Sequence, residues 1–168
     1  MVLMLIICLL WLLFMTKNNI IRMAIVLFFL LWQGIPAYNK WQADKLVDEL
    51  CAKDGGVKVY ETVTLSKEKF NQWGQPNFYR PNEGSNALGG DYIFKSEGYF
   101  YHREMPIIVR YQHQVIRRLD WKLLGETISY GRGGGDPIGP WEPSNYHCPP
   151  TNESSEIALF KNFFLPIK

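Results

Sequence analysis

Apolar side chains run almost unbroken through the first 37 residues, where Lys17 and Arg22 are the only charges. The run has two pieces, Val2 to Phe14 and Ile20 to Trp32, divided by the polar break Thr16-Lys17-Asn18-Asn19. Each piece alone falls short of the roughly 20 apolar residues that a membrane crossing takes. A polar turn between two helices this short could not reach both faces of a bilayer. Read from Met15, the chain shows a basic stretch holding Lys17 and Arg22, then an apolar run from Met23 to Trp32, the order of an export signal. Residues 1–14 are therefore expected to be an upstream extension from a misassigned start, residues 15–37 a signal anchor or signal peptide, and residues 38–168 an exported domain.

Positive charge stays on the cytoplasmic side, so Lys17 and Arg22 predict an N-in orientation with the remainder outside. Ile35-Pro36-Ala37 offers an alanine for cleavage, but Ile35 is bulky where a small residue is expected. We expect an uncleaved anchor, with cleavage near Ala37 and a soluble product as the alternative. Ile20 to Tyr38 supplies 19 residues if Arg22 snorkels, and Trp32, Tyr38 and Trp41 suit the outer interface.

Beyond the anchor the hydrophobic period changes. Tyr38 to Lys53 places Ala43, Leu46, Val47 and Leu50 at the i, i+3, i+4, i+7 spacing of a buried helix face. Asp54-Gly55-Gly56 then ends that helix, with Lys53 favourably placed at the negative end of its dipole. Val57 to Val63 alternates as a strand. Ser66 opens a short helix to Trp73, and Gly74 to Gly90 reads as loop, with two prolines, four glycines and three asparagines. Asp91 to Tyr101 and Ile107 to Arg118 are expected to pair antiparallel, the second with Ile107, Val109, Tyr111, His113 and Val115 on one face and Arg110, Gln112 and Gln114 on the other. Trp121 to Tyr130 follows as a fourth strand. Strands this close in sequence argue for a meander, because a parallel pair needs a longer crossover. Gly131 to Pro150, with five glycines and five prolines, is expected to be a long loop, and Ile157 to Leu165 a last strand or a helix packed on the sheet.

Charge narrows the partners. Removing Lys17 and Arg22 from the 18 basic residues leaves 16 against 16 acidic ones, so the domain is formally neutral and has no electrostatic footprint for nucleic acid or anionic lipid as a primary partner. Of the three cysteines, Cys8 lies in the N-terminal stretch, while Cys51 and Cys148 fall in the exported part, where an oxidising compartment would pair them.

The stretch Leu50-Cys51-Ala52-Lys53-Asp54-Gly55-Gly56-Val57-Lys58-Val59-Tyr60-Glu61, following a single anchor and an amphipathic helix, resembles a group of small membrane-anchored or periplasmic proteins of Gram-negative bacteria. The resemblance covers residues 32–63 and implies an inner-membrane or periplasmic location. It supplies no activity, substrate or catalytic residue, and the long N-terminus departs from the pattern.

Catalytic chemistry is not signalled. His113 falls on the apolar face of its strand, His102 adjoins Arg103-Glu104 in a turn, and His147 is the sole candidate ligand beside Cys148. No Gly-x-Ser-x-Gly, His-Glu-x-x-His or Cys-x-x-Cys occurs, so no nucleophile, metal or cofactor is expected. The one candidate ligand site is Arg132 with Gly133, Gly134 and Gly135, where consecutive amides of a glycine turn could cradle an anion; the alternative is a connection that needs positive φ. Tyr92, Phe94, Tyr99, Phe100 and Tyr101 could line a binding surface or fill a core. Asn152-Glu153-Ser154 matches a glycosylation sequon and, since the resemblance points to bacteria, is read as chance.

The sequence thus predicts an α+β domain: a helix continuing from a membrane anchor, packed on an antiparallel sheet of about four strands, with Cys51–Cys148 pinning the Gly/Pro-rich segment. The leading functional expectation is a membrane-tethered periplasmic interaction or structural module that serves an envelope protein partner and is not an enzyme. The alternative is a small-ligand or glycan binder built on Arg132 and the aromatic residues.

Overall fold

A computed structural model describes residues 11, 14–137, 142–150, 152 and 155–167. The expectations for Cys8, for the sequon at Glu153 and Ser154, and for most of residues 1–14 lie outside the described residues. Helix α1, Asn19–Asp54, is continuous through the anchor and the amphipathic segment, about 54 Å at 1.5 Å per residue. Asn18 caps it, its side chain accepting from the Ile20 N–H at 2.9 Å. Its N-terminal part is long and apolar enough to cross a membrane, and none of that part is buried in the domain. Pro36 lies inside the helix without ending it. At the other end the Gly55 N–H donates to the Cys51 carbonyl at 2.7 Å. A β-carbon on Gly55 would stand 2.6 Å from that oxygen, and Gly56 takes φ +105°, so the chain turns from helix to strand through two positions that only glycine fills without strain.

The main sheet has the order β1-β5-β4-β3, from β1 (Gly56–Val59), β3 (Tyr92–His102), β4 (Ile107–Arg117) and β5 (Leu123–Gly133), all antiparallel. A fifth strand, β6 (Asn145–Cys148), pairs with Tyr130–Gly133 on the stretch of β5 that β1 leaves free. The α+β architecture with a long apolar helix and an antiparallel meander is as the sequence predicts. Several boundaries differ. The strand expected over Val57–Val63 breaks after Val59, where the Tyr60 and Glu61 N–H groups both donate to the Leu124 carbonyl; its second half, β2 (Val63–Leu65), pairs in parallel with β7 (Phe164–Pro166). Trp121 sits in the turn before β5 with φ 57°. The expected helix after Ser66 is only a 3₁₀ turn, Lys67–Lys69. The Gly/Pro-rich stretch is not all loop, because Gly131 and Gly133 continue β5 and residues 145–148 form β6.

Alternation along β4 divides the core between the two faces of the sheet. On one face Ala43, Val47, Leu50 and Cys51 of α1 pack on Ile108, Ile128 and Tyr130. On the other, Leu159, Phe160 and Phe163 of helix α2 (Glu156–Phe163), with Phe164, pack on Phe94, Val115 and Leu124. The second cluster is rich in aromatic rings: Phe160 meets Tyr79 edge-on at 4.8 Å and Phe94 at 5.6 Å, arrangements that add to simple burial.

Candidate functional site

From Lys40 to Cys51, ion pairs and a disulfide fasten α1 to the sheet and to the segment that follows β5. Arg132 on β5 is 3% exposed. Its Nε donates to Asp44 Oδ1 at 2.6 Å, and its Nη1 to the carbonyls of Gly134 (2.5 Å) and Ser144 (2.8 Å) and to Ser144 Oγ (3.1 Å). Asp136 accepts from Lys40 Nζ at 2.5 Å, from the Ser144 N–H at 2.6 Å and from its hydroxyl at 2.8 Å. Lys40 first, then the Ser144 amide and hydroxyl, hold the Asp136 carboxyl far below the usual carboxylate range. Cys51 and Cys148 form a disulfide, Cα to Cα 5.9 Å, between α1 and β6.

These contacts define the surroundings of the glycine-rich segment. Gly133 ends β5, while Gly134 and Gly135 take φ of +70° and +80°. The Gly134 carbonyl, not its amide, meets Arg132, and Met105 and Pro106 close over the positions where β-carbons would stand on Gly134 and Gly135. An anion arriving here would compete with Asp44 and Asp136 for the same cations. The geometry is that of a brace between helix and sheet.

The aromatic series divides. Phe94 is buried and Tyr92 partly so, both in the C-terminal core, whereas Tyr99, Phe100 and Tyr101 are each more than half exposed. They lie on β3, the end strand of the sheet, and register places Tyr99 beside Arg110 and Phe100 beside Val109 on opposite faces. A bulge at Tyr101 precedes the β3–β4 turn, a feature that keeps an open edge from pairing indiscriminately. Between this turn and α1 runs a groove of about 600 Å³ lined by Gln42, Lys45, Glu49, His102, Met105 and Ile108, among others. His102 shapes the turn, its Nδ1 lying 3.0 Å from the Glu104 carbonyl and 3.1 Å from that of Pro106.

Two polar groupings gave no sequence signal, since their members are far apart in the chain. Glu126 on β5 is 8% exposed and accepts from Tyr60 (2.8 Å), Gln112 (2.8 Å) and Gln114 (3.3 Å). Burial pushes its carboxyl up, but these hydrogen bonds and Lys58 outweigh burial and hold it below the ordinary value. On the opposite face His113 stacks on Phe94 at 5.9 Å, with Nε2 3.9 Å from Glu156 and Nδ1 buried without a hydrogen bond. Tyr79 donates to the same carboxylate at 3.1 Å, and burial and then Glu156 push its hydroxyl up to about 12. Burial lowers His113, against the pull of Glu156. A histidine held toward its neutral form, a high-pKa tyrosine and a carboxylate thus meet on this face, with Ser96 paired across the strands to His113. Among the described residues, no group of three or more His, Cys, Asp or Glu side chains could hold a metal ion.

No family model, curated protein or solved structure matches the chain.

Proposed function

We propose that the chain is a membrane-tethered module of the bacterial envelope, anchored in the inner membrane with its domain in the periplasm, that holds a protein-docking surface at a fixed height above the bilayer and performs no chemistry of its own. The observation that carries this reading is the unbroken path of α1. The helix that is apolar enough to cross a membrane continues without a linker into the core, where Val47 is fully buried. A domain meant to roam would need a flexible tether; this one is mounted rigidly, and Arg132–Asp44, Lys40–Asp136 and the disulfide reinforce the mount. Lys17 and Arg22 ahead of the apolar run support the N-in orientation, and the disulfide suits an oxidising compartment.

The docking surface on this reading is the open edge of β3 around Tyr99 and Phe100, since exposed aromatic residues are enriched where proteins meet. A ligand site at Arg132 is the weaker alternative because its donors already have partners. The test is photo-crosslinking in native membranes with a benzophenone amino acid at Tyr99, and at Leu119 in the far turn as control. A discrete protein adduct at Tyr99, absent at Leu119 and lost with Phe100→Glu, is expected. Equal labelling at both positions, or none at Tyr99, would sink the docking assignment.

A further inference from the structure

We infer that the β3–β4 turn is a second point of membrane contact, seated in the phospholipid headgroup layer of the bilayer that α1 crosses; the inference rests on the membrane-spanning reading of α1. Two adjoining chains of contact set the height of the turn. Met105 packs where a β-carbon on Gly134 would stand, 2.8 Å from its sulfur, and Gly134 is bound through Arg132 to Asp44. Pro106 packs in the same way against Gly135, whose neighbour Asp136 is paired with Lys40. The turn is therefore fixed at the level of Lys40 to Asp44.

That level can be compared with the bilayer. With Tyr38 marking the outer edge of the hydrocarbon, Lys40 to Asp44 stand roughly 3–9 Å beyond it at the helical rise. The headgroup layer occupies about 5–8 Å on each side of the hydrocarbon core. Most of that span lies inside it, Trp41 included, and the turn is level with it.

The side chains suit that layer. Tyr101 and Met105 are 55% and 68% exposed, Tyr38 and Trp41 56% and 51%, and Arg103 lies in the turn between Tyr101 and Met105. Aromatic rings with a polar edge and a cation that can reach phosphate are what the interface accepts. Exposure alone does not carry the inference, since Leu119 at the other end of the sheet is 90% exposed. Position does: β4 separates the two turns by 11 residues, about 36 Å, so only one of them can touch this bilayer. The formally neutral domain makes the contact one of interfacial packing, insensitive to salt, with zwitterionic lipid sufficient as the occupant.

The experiment uses the full chain with Cys8→Ser, reconstituted in phosphatidylcholine vesicles and carrying one environment-sensitive fluorophore at Leu27→Cys, Met105→Cys or Leu119→Cys. Quenching is read with lipids spin-labelled either at the headgroup or near the chain end, and with an aqueous quencher. We expect Leu27 to be quenched by the chain-end label, Met105 by the headgroup label with partial protection from the aqueous quencher, unchanged at high salt, and Leu119 by the aqueous quencher alone. Met105 behaving like Leu119 while Leu27 remains deep would overturn the second contact and leave the anchor intact. All three positions behaving as aqueous would overturn the anchor and, with it, this inference.

Discussion

Arg132 and Asp44 meet through Nε and Oδ1 at 2.6 Å, across 88 residues of chain. The pair joins β5 to α1 nearly two turns beyond the apolar stretch. Arg132 is almost wholly buried while its partner is 29% exposed on the side chain, so the two halves of the contact are unequal. Removing the carboxylate strands a buried cation, whereas removing the cation leaves a carboxylate with access to water.

Asp44→Ala should destabilise the domain by about 3 kcal/mol, the range found when one partner of a buried ion pair is deleted. Arg132→Met, which removes the buried charge and keeps a long stem, should cost less. Thermal melts of the two variants in detergent, compared with the unmodified chain, check the order. Equal losses would mean that the pair acts through packing alone.

The Cys51–Cys148 bridge closes a loop of 97 residues. In the chain-entropy model a loop of that length stabilises by on the order of 4–5 kcal/mol, a large share of a small domain's stability. The double variant Cys51→Ala, Cys148→Ala should lose about 4 kcal/mol in denaturant titrations, and reductant should bring the unmodified chain to the same midpoint. Non-reducing peptide mapping of the protein taken from cells supplies the direct check, and finding both thiols free would remove the bridge from the account.

Gly131 lies in β5 directly opposite His147 of β6, and a β-carbon there would stand 2.9 Å from the imidazole ring and 3.3 Å from Tyr111. Gly131→Ala should therefore push β6 outward at a cost of about 1–3 kcal/mol, the usual penalty of overpacking. Adding His147→Ala should recover most of the loss, which a double-mutant cycle reads as a favourable coupling. Additive losses would show that Tyr111, not His147, is the obstacle.

How much of this was legible beforehand depended on whether the signal was local. The α1 face at Ala43, Val47 and Leu50 follows from helical spacing, and the β3–β4–β5 meander from alternation and short connections. Composition misled at Gly131 and Gly133, because prolines and glycines over residues 131–150 read as loop while the strand continues between β4 and β6. The break after Val59 was hidden for a similar reason: Tyr60 and Glu61 turn to share the Leu124 carbonyl, a residue distant in sequence. Arg132 stood out as a cation beside glycines, but its partner Asp44 is invisible to a local reading. Glu126 and the Tyr79–Glu156–His113 grouping had no signal at all, since register and tertiary packing bring them together.

His113 gives the domain a dependence on acid. Its imidazole is lowered from 6.5 by burial against Phe94, with Glu156 only partly opposing, so the folded state favours the neutral ring. Below the unfolded value the unfolded chain binds the proton more readily than the folded one, and stability must fall as pH falls through that window. Glu126 acts in the same direction at lower pH, because its folded carboxyl is held below the ordinary value, and the stability it contributes is lost as it protonates. Melting temperature should therefore decline from about pH 7 toward about pH 5 and more steeply beyond. His113→Phe, which keeps a ring against Phe94, should flatten the decline nearest neutrality and leave the carboxylate part in place, whereas Glu126→Gln should act only on the acidic limb. A His113→Phe profile as steep near neutrality as that of the unmodified chain would assign the titration to another group.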